Sequence, residues 1–283
     1  MKLADKGCLI TGGSRGIGKA VAKAFLTAGA RVIIAGRSQS ALDAAVEELG
    51  SLGPIQGIRA DVSKQKDVEL LVEKAAAPPG TIDVLVNAAA IQKPIGPFLE
   101  TDMADWIRCL QIDLIGTALC CKAVLPSMVQ RESGRIINFA GGGSTSPRPN
   151  FTAYACAKTA VVRFTETLAL EVAPYGISVN AISPGAVHTR MLDETLAAGP
   201  KAGAAELEEV RRLVQGAATP PEVAAALALH LASAPSPRVT GRLISAVWDD
   251  WKGLDGPSKA AETSSLYTLR RIDGRHFVET GKK

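Results

Sequence analysis

Gly7-Cys8-Leu9-Ile10-Thr11-Gly12-Gly13-Ser14-Arg15-Gly16-Ile17-Gly18 is the stretch that decides the fold. Its opening, Gly7 to Ile10, is a short apolar run that reads as a buried strand. After the glycines, Ile17, Val21, Ala24 and Phe25 recur at helical spacing, and the pattern stops near Gly29. Strand, glycine turn and helix form the context in which such a turn holds a nucleotide. Glycines let the backbone approach a pyrophosphate, and the helix N-terminus supplies N–H donors and the positive end of a dipole. The spacing here is Gly12-x-x-x-Gly16-x-Gly18 rather than G-x-G-x-x-G. A tight strand-to-helix turn without a ligand is the alternative reading.

Outward from the turn, strands and helices alternate. Strands are expected at Arg31–Ala35, Ile55–Ala60, Ile82–Asn87, Arg135–Phe139, Ile177–Ile182 and Gly241–Val247. Helices are expected near Ser40–Leu49, Lys64–Ala77 and Thr152–Ala173, with a long one before the fifth strand, broken or bent near Pro126. This alternation implies an α/β fold: a Rossmann-like, doubly wound, parallel seven-stranded sheet with helices on both faces, in a single domain over 1–247. Ligands in such sheets bind beyond the carboxyl ends of the strands. Gly12, Arg37, Asp61, Asn87, Gly141 and Pro184 all follow strand ends and are expected to face one crevice. Met191–Gly216, helical in character and bracketed by Gly and Pro, is placed where a lid would lie. The extension 248–283, with Trp248, Trp251 and Tyr267, is too short for a domain and reads as a tail over the pocket, the core or a neighbouring subunit, or as a partly disordered segment.

Composition narrows the function. The chain has 283 residues, enough to bury a large core, with 47% hydrophobic and only 4% aromatic residues. Its net charge of +4 is small and its Arg and Lys are scattered, which argues against nucleic acid as a partner. The five cysteines, Cys8, Cys109, Cys120, Cys121 and Cys156, read as buried free thiols of a reducing compartment. Cys156 is expected as a small core residue on the helix face away from Tyr154, with a redox-sensitive thiol as the alternative. No signal-peptide pattern opens the chain, and no apolar run was expected to reach membrane-spanning length, so a cytoplasmic protein is expected. No metal spacing is found. His188 reads as a loop residue within reach of a ligand, His230 as structural, and His276 as part of the tail.

Tyr154-Ala-Cys-Ala-Lys158 carries the chemistry. On a helix the phenol and the ammonium share one face. A free tyrosine titrates near 10, and an adjacent lysine charge is expected to lower that value. The pair is a candidate proton donor and acceptor for carbonyl/alcohol chemistry.

Taken together these motifs resemble the short-chain dehydrogenase/reductase family over about residues 3–247. Thr11–Gly18 is similar to the family's dinucleotide turn, with Gly12, Ser14, Arg15, Gly16, Ile17 and Gly18 as its contacts. Asp61 and Val62 resemble the adenine-contacting pair, and Asn87-Ala-Ala-Ala90 stands in place of Asn-Asn-Ala-Gly. Tyr154 and Lys158 resemble the catalytic pair, which also meets the cofactor. Pro184, Gly185, Val187 and Thr189 resemble the segment that binds the nicotinamide carboxamide. The resemblance implies a nicotinamide cofactor, hydride transfer, a small-molecule carbonyl or alcohol substrate, and a homodimer or homotetramer. Its two-fold contact is expected near Cys120 and Phe164, unless these are core faces. Where NAD-preferring relatives end strand two with an aspartate, this chain has Gly36 followed by Arg37. With Arg15 nearby, that favours a 2′-phosphate, hence NADP(H) rather than NAD(H).

Three departures stand out. Thirteen residues before Tyr154, where the family has a serine, lies Gly141, followed by Gly142-Gly143-Ser144-Thr145. Ser144 or Thr145 folding back, glycine N–H groups, or nothing at all are the three replacements considered. Asp113-Leu-Ile-Gly116 stands where the family has Asn-x-x-Gly, and Asp113 is expected to serve through its carbonyl or by pairing with Lys158. Trp248-Asp-Asp-Trp251 stands where Asp-Gly-Gly is usual. The missing serine leaves a second functional reading open: a cofactor-binding regulator or scaffold with little turnover.

Overall fold

A computed structural model describes residues 2–77, 80–233, 239–253 and 266–270. Its strands are β1 (Gly7–Thr11), β2 (Arg31–Gly36), β3 (Ile55–Arg59), β4 (Val84–Asn87), β5 (Gly134–Phe139), β6 (Ile177–Ser183) and β7 (Leu243–Ser245). They form one seven-stranded sheet in the order β3-β2-β1-β4-β5-β6-β7, and every pairing is parallel. The α-helices are α1 (Gly16–Thr27), α2 (Gln39–Leu49), α3 (Gln65–Ala75), α4 (Met103–Leu110), α5 (Gly116–Gln130), α6 (Thr152–Val172), α7 (Arg190–Ala198), α8 (Ala204–Arg212) and α9 (Pro221–Ser233).

The unbroken apolar runs follow from burial on both sides of the sheet. Successive strand residues point to opposite faces, so a strand covered by helices on each face has no polar side. Cys8, Ile10, Val32 and Ile34 pack on one face with Val21, Phe25, Leu42 and Leu227. Leu9, Ile33 and Leu85 pack on the other with Leu71, Cys120, Val124 and Leu168. Strand order reverses between β1 and β4, where Thr11 and Asn87 are in register. The crevice beyond these two strand ends is the ligand position of a doubly wound sheet.

Some expectations are corrected. Of the two expectations at Pro126, a break is not seen: the proline lies inside the continuous helix α5. The helix is interrupted earlier, by a wide π-type turn, Gln111–Ile115, between α4 and α5. One helix, Met103–Gln130, is long and apolar enough to cross a membrane by length and composition, which was not expected. Cys120, Cys121, Val124 and Met128 bury it against the sheet, as in the core helix of a globular domain. Cys120 therefore belongs to the core rather than to a subunit contact, and Phe164 packs on the same cluster. Cys156 is exposed, not a core residue. Two residues after Tyr154 on a helix is about 200° around the axis, which turns the thiol away from the buried face.

Part of the tail is anchored on the domain's own edge. The Leu243 N–H donates to the Tyr267 carbonyl at 2.8 Å, and the Leu269 N–H donates to Glu166 at 2.6 Å. Trp251 donates to the Ala246 carbonyl at 3.2 Å and stacks on His230, whereas Trp248 is exposed. His276 lies outside the described residues.

Candidate active site

The glycine turn folds as it does because side chains cannot fit. Gly12 has φ +67°, and a Cβ there would lie 2.8 Å from the Ala89 nitrogen and 2.9 Å from the Ala88 carbonyl. A Cβ on Gly18 would meet the Gly12 oxygen at 2.4 Å. The turn thus runs directly against the segment after β4, whose Ala88 and Ala89 N–H groups donate to the Thr11 hydroxyl at 3.2 and 3.3 Å. Beyond it opens a cavity of about 430 Å³ lined by the turn and its neighbours. Among these are Gly12, Ser14, Arg15, Gly16, Ile17, Gly18, Arg37, Asp61, Val62 and Thr189. The α1 N-terminus, two arginines and a side-chain-free cradle fit the phosphates of a dinucleotide. Arg15, Gly36 and Arg37 line the same cavity, and a Cβ on Gly36 would meet Ser14 Oγ at 3.6 Å, an ordinary contact. Burial pushes the Asp61 carboxyl up, but two hydrogen bonds from Ser63 and the charges of Arg37 and Arg108 outweigh it and leave Asp61 below the usual range.

A second cavity of about 470 Å³ shares Ile17, Ala88, Ala90, Thr189 and Met191 with the first, so the two form one cleft. Tyr154 and Lys158 line it from α6, and Pro184, Gly185 and Val187 from the loop after β6. Helices α7 and α8 cover it through Met191, Leu192, Glu206 and Val210, so Met191–Gly216 does overlie the cleft. Gln92 ties this cover down by donating to the Met191 carbonyl and to Thr195 Oγ1.

Lys158 is buried. Its ammonium donates to the Phe139 carbonyl at the end of β5 at 3.0 Å and lies 3.6 Å from Asp113 Oδ2. Asp113 is fully buried in the π-type turn. Its Oδ1 accepts from the Ile91 N–H at 2.9 Å, and its carbonyl accepts from Thr117 at 2.8 Å. Of the expectations for Asp113, the pairing with Lys158 is the one the structure forms. Burial raises the Asp113 pKa to about 6, against the opposing pull of Lys158 and the Ile91 N–H. Gly116, the last residue of that motif, has a physical reason: a Cβ there would meet Val62 Cγ2 at 2.8 Å.

The electrostatics of Tyr154 differ from expectation. Burial drives its pKa well above the usual phenol value, the Asp113 charge adds to the rise, and Arg148 opposes it. Lys158 does not lower it in this state: the ammonium is 5.7 Å from the ring centroid and its charge is balanced by Asp113. The phenol also fills the space left by the missing serine. A Cβ on Gly141 would lie 2.2 Å from the Tyr154 oxygen.

Ser144 does not enter the cleft. The Gly141–Ser144 segment closes a turn in which the Ser144 N–H donates to the Gly141 carbonyl at 3.1 Å. The Thr159 hydroxyl lies 3.2 and 3.3 Å from the Gly143 and Ser144 carbonyls, holding the loop to α6. Ser144 is thereby buried behind the lining, which is formed by Gly141, Gly142, Gly143, Ser146, Pro147 and Arg148. Asn87 is likewise corrected. Its side chain donates to Asn138 at 2.9 Å beneath the cleft, and Ala88 to Ala90 are the lining residues. His188 lines the first cavity. The residue that motif reading missed is Arg148. Its signal was a lone cation framed by Pro147 and Pro149 between the glycine run and Tyr154.

Comparison with known proteins agrees with this geometry. The family profile for short chain dehydrogenases matches residues 6–199. A short chain dehydrogenase of Pseudocercospora fijiensis is 36% identical over 193 residues, 67% of this chain and 62% of that protein's length. The cis-4-hydroxycyclohexanecarboxylate dehydrogenase of Sinomonas cyclohexanicum is 35% identical over 242 residues, 86% of this chain and 95% of that protein. Among solved structures, NAD+-bound xylitol dehydrogenase superposes with a TM-score of 0.80 at 27% identity, covering 87% of this chain and 98% of that one. With the parallel sheet, the glycine cradle and the Tyr154–Lys158 cleft, these matches show that the chain belongs to the short-chain dehydrogenase/reductase family of NAD(P)-dependent oxidoreductases.

Proposed function

We propose that the protein is an NADP(H)-dependent oxidoreductase acting between a ketone and a secondary alcohol, with Tyr154 as the proton donor and acceptor. The observation that carries this reading is the Tyr154 phenol in a cavity continuous with the glycine-turn cavity. When bound, the nicotinamide supplies or takes the hydride. The residues do the rest. In reduction Tyr154 gives its proton to the substrate oxygen as charge develops there, and burial keeps the phenol protonated and ready to donate. In oxidation the phenolate must form, and Arg148 is the neighbouring charge that favours it. Lys158, fixed by Phe139 and Asp113, is the positive group beneath the reacting centre and the candidate partner of the nicotinamide ribose. With no serine at Gly141 and Ser144 turned away, the Gly141–Gly143 backbone is the candidate donor to the substrate oxygen.

Preference for NADP(H) rests on Arg15 and Arg37 lining the first cavity together with Gly36, which has no carboxylate. Arg37→Asp is expected to weaken NADPH binding about 10- to 100-fold, the worth of a charge-assisted hydrogen bond, with a much smaller effect on NADH. Equal losses for the two cofactors refute the assignment. Gly141 favours one rival, a cofactor-binding regulator with little turnover. NADPH oxidation against a carbonyl panel, beside direct NADPH binding, separates the two. Tyr154→Phe is expected to abolish turnover and keep binding; full activity in that variant sinks the mechanism. A cytoplasmic homodimer or homotetramer completes the proposal, supported by the exposed apolar Met103, Ile107 and Ile115 on the α4 side of the long helix. Sedimentation of the purified protein tests it.

A further inference from the structure

The second cavity holds a cation, Arg148, whose charge favours the Tyr154 phenolate but whose guanidinium has a further N–H group that this role does not engage. Its charged lining residues, among those described, are Arg148, Lys158, Glu206 and Glu209. All four are engaged, Arg148 with Glu206 and the other two with groups outside the lining. Lys158 serves Phe139 and Asp113, and Glu209 is held by Arg212 at 2.9 and 2.7 Å. Glu206 accepts both Nε and Nη2 of Arg148 on a single oxygen, Oε1. Among the described residues nothing accepts from Arg148 Nη1, which faces Gly142. A Cβ on Gly142 would lie 3.7 Å from that nitrogen, so Arg148 Nη1 stands at contact distance from this position of the loop.

The guanidinium is also fixed in place. It stacks over the Phe151 ring with Cζ 3.8 Å from the centroid, and it stands 5.7 Å from the Tyr154 centroid. A planar cation locked by stacking, with a free N–H edge turned to a cavity, is the usual recognition element for a carboxylate. Glu206 shows that this guanidinium donates to a carboxylate. The geometry also limits where the acid group lies. The Tyr154 hydroxyl rests against Gly141 and Arg148 Nη1 against Gly142, and neighbouring Cα atoms are about 3.8 Å apart. The reacting oxygen and the acid group are therefore read by adjacent positions of one loop.

We infer that Arg148 is the specificity-determining residue of the cleft, and that the substrate is an oxo acid or hydroxy acid whose carboxylate, a few bonds from the reacting carbon, binds the free edge of Arg148. This rests on the proposed reductase reading, which it deepens by naming a substrate class. The glycine run then has a double use. Gly141 admits the phenol, and Gly142 lies beside the edge that takes the carboxylate.

The test is a panel of short straight-chain and cyclic 2- and 3-oxo acids, each beside its methyl ester. NADPH oxidation and calorimetric binding to the NADP+-saturated protein are measured for both. The acids are expected to exceed their esters by about 10- to 100-fold in kcat/KM and in affinity, as for a charge-assisted hydrogen bond. Arg148→Met is expected to collapse that ratio toward one, and Arg148→Lys to restore part of it. Turnover of esters or neutral ketones as good as that of the acids overturns the inference and leaves the reductase reading intact. Arg148-dependent binding of acids with no turnover upholds the inference and removes the reductase reading. Absence of acid binding, or an acid preference that survives Arg148→Met in a protein that still melts cooperatively, overturns it.

Discussion

Placing the family's serine back, as Gly141→Ser, is expected to damage this enzyme rather than improve it. The new Cβ would lie 2.2 Å from the Tyr154 oxygen, 2.9 Å from Cζ and 3.2 Å from Cε1. Gly141 is itself buried, so the strain has to be absorbed locally. The phenol cannot yield freely, because Tyr154 is 6% exposed and packs with Cys109, Phe151, Ala202 and Leu207. Bringing the oxygen to ordinary contact with a Cβ needs a shift of roughly 1 Å, and a misplacement of that size at a reacting group costs about 100-fold in rate. Forcing a side chain into a filled core costs about 1–3 kcal/mol besides. Gly141→Ala has the same Cβ and no hydroxyl, so it separates shape from chemistry. Steady-state NADPH oxidation, NADPH binding and thermal melting of both variants provide the readouts. Both are expected to lose about 100-fold in kcat, to melt lower and to bind NADPH normally, with serine no better than alanine by more than a small factor. A Gly141→Ser protein with raised kcat and an unchanged Tm refutes the reasoning, because the phenol would then not occupy the serine's place.

Asp113→Asn tests the buried pair through pH. Because burial raises the Asp113 pKa from 3.8 to about 6, its contribution to stability is full below pH 4 and is lost as pH rises through 6. Chemical denaturation at pH 4 and pH 7 is expected to show wild type losing about 2 kcal/mol over this range relative to the variant; any constant penalty for leaving Lys158 unpaired cancels in that difference. A pH dependence identical in the two proteins rejects the assignment. Gly12→Ala places a Cβ 2.8 Å from the backbone of Ala89 at φ +67°, so it is expected to abolish detectable cofactor binding and lower Tm, and normal NADPH titration refutes the cradle. Glu166→Gln weakens the anchor that takes the Leu269 N–H at 2.6 Å and the Arg270 side chain at 3.2 Å; faster proteolytic loss of the tail with unchanged kcat is expected, and unchanged cleavage denies the anchor.

What the chain reveals on reading is whatever depends on period and local sterics. The buried strand runs, the glycine turn, and Tyr154 and Lys158 on one helix face are all of this kind, and the sheet follows from them. Period assigns a face but not a distance. Asp113 and Lys158 are far apart in sequence, and their 3.6 Å approach exists only because the π-type turn swings Asp113 under α6. Ser144 fails for the converse reason: its nearness in sequence counted for less than the single turn bond that carries it behind the lining. Asn87 follows a strand end as expected, yet pleat parity sends its side chain beneath the cleft to Asn138. Gly141 shows the same gap between composition and space. Read along the chain it is a lost hydroxyl, whereas in the folded molecule its bare Cα is the surface against which the Tyr154 oxygen rests. A glycine at that position and a phenol that stands against it form one feature, so the serine cannot be judged missing without asking where the tyrosine stands.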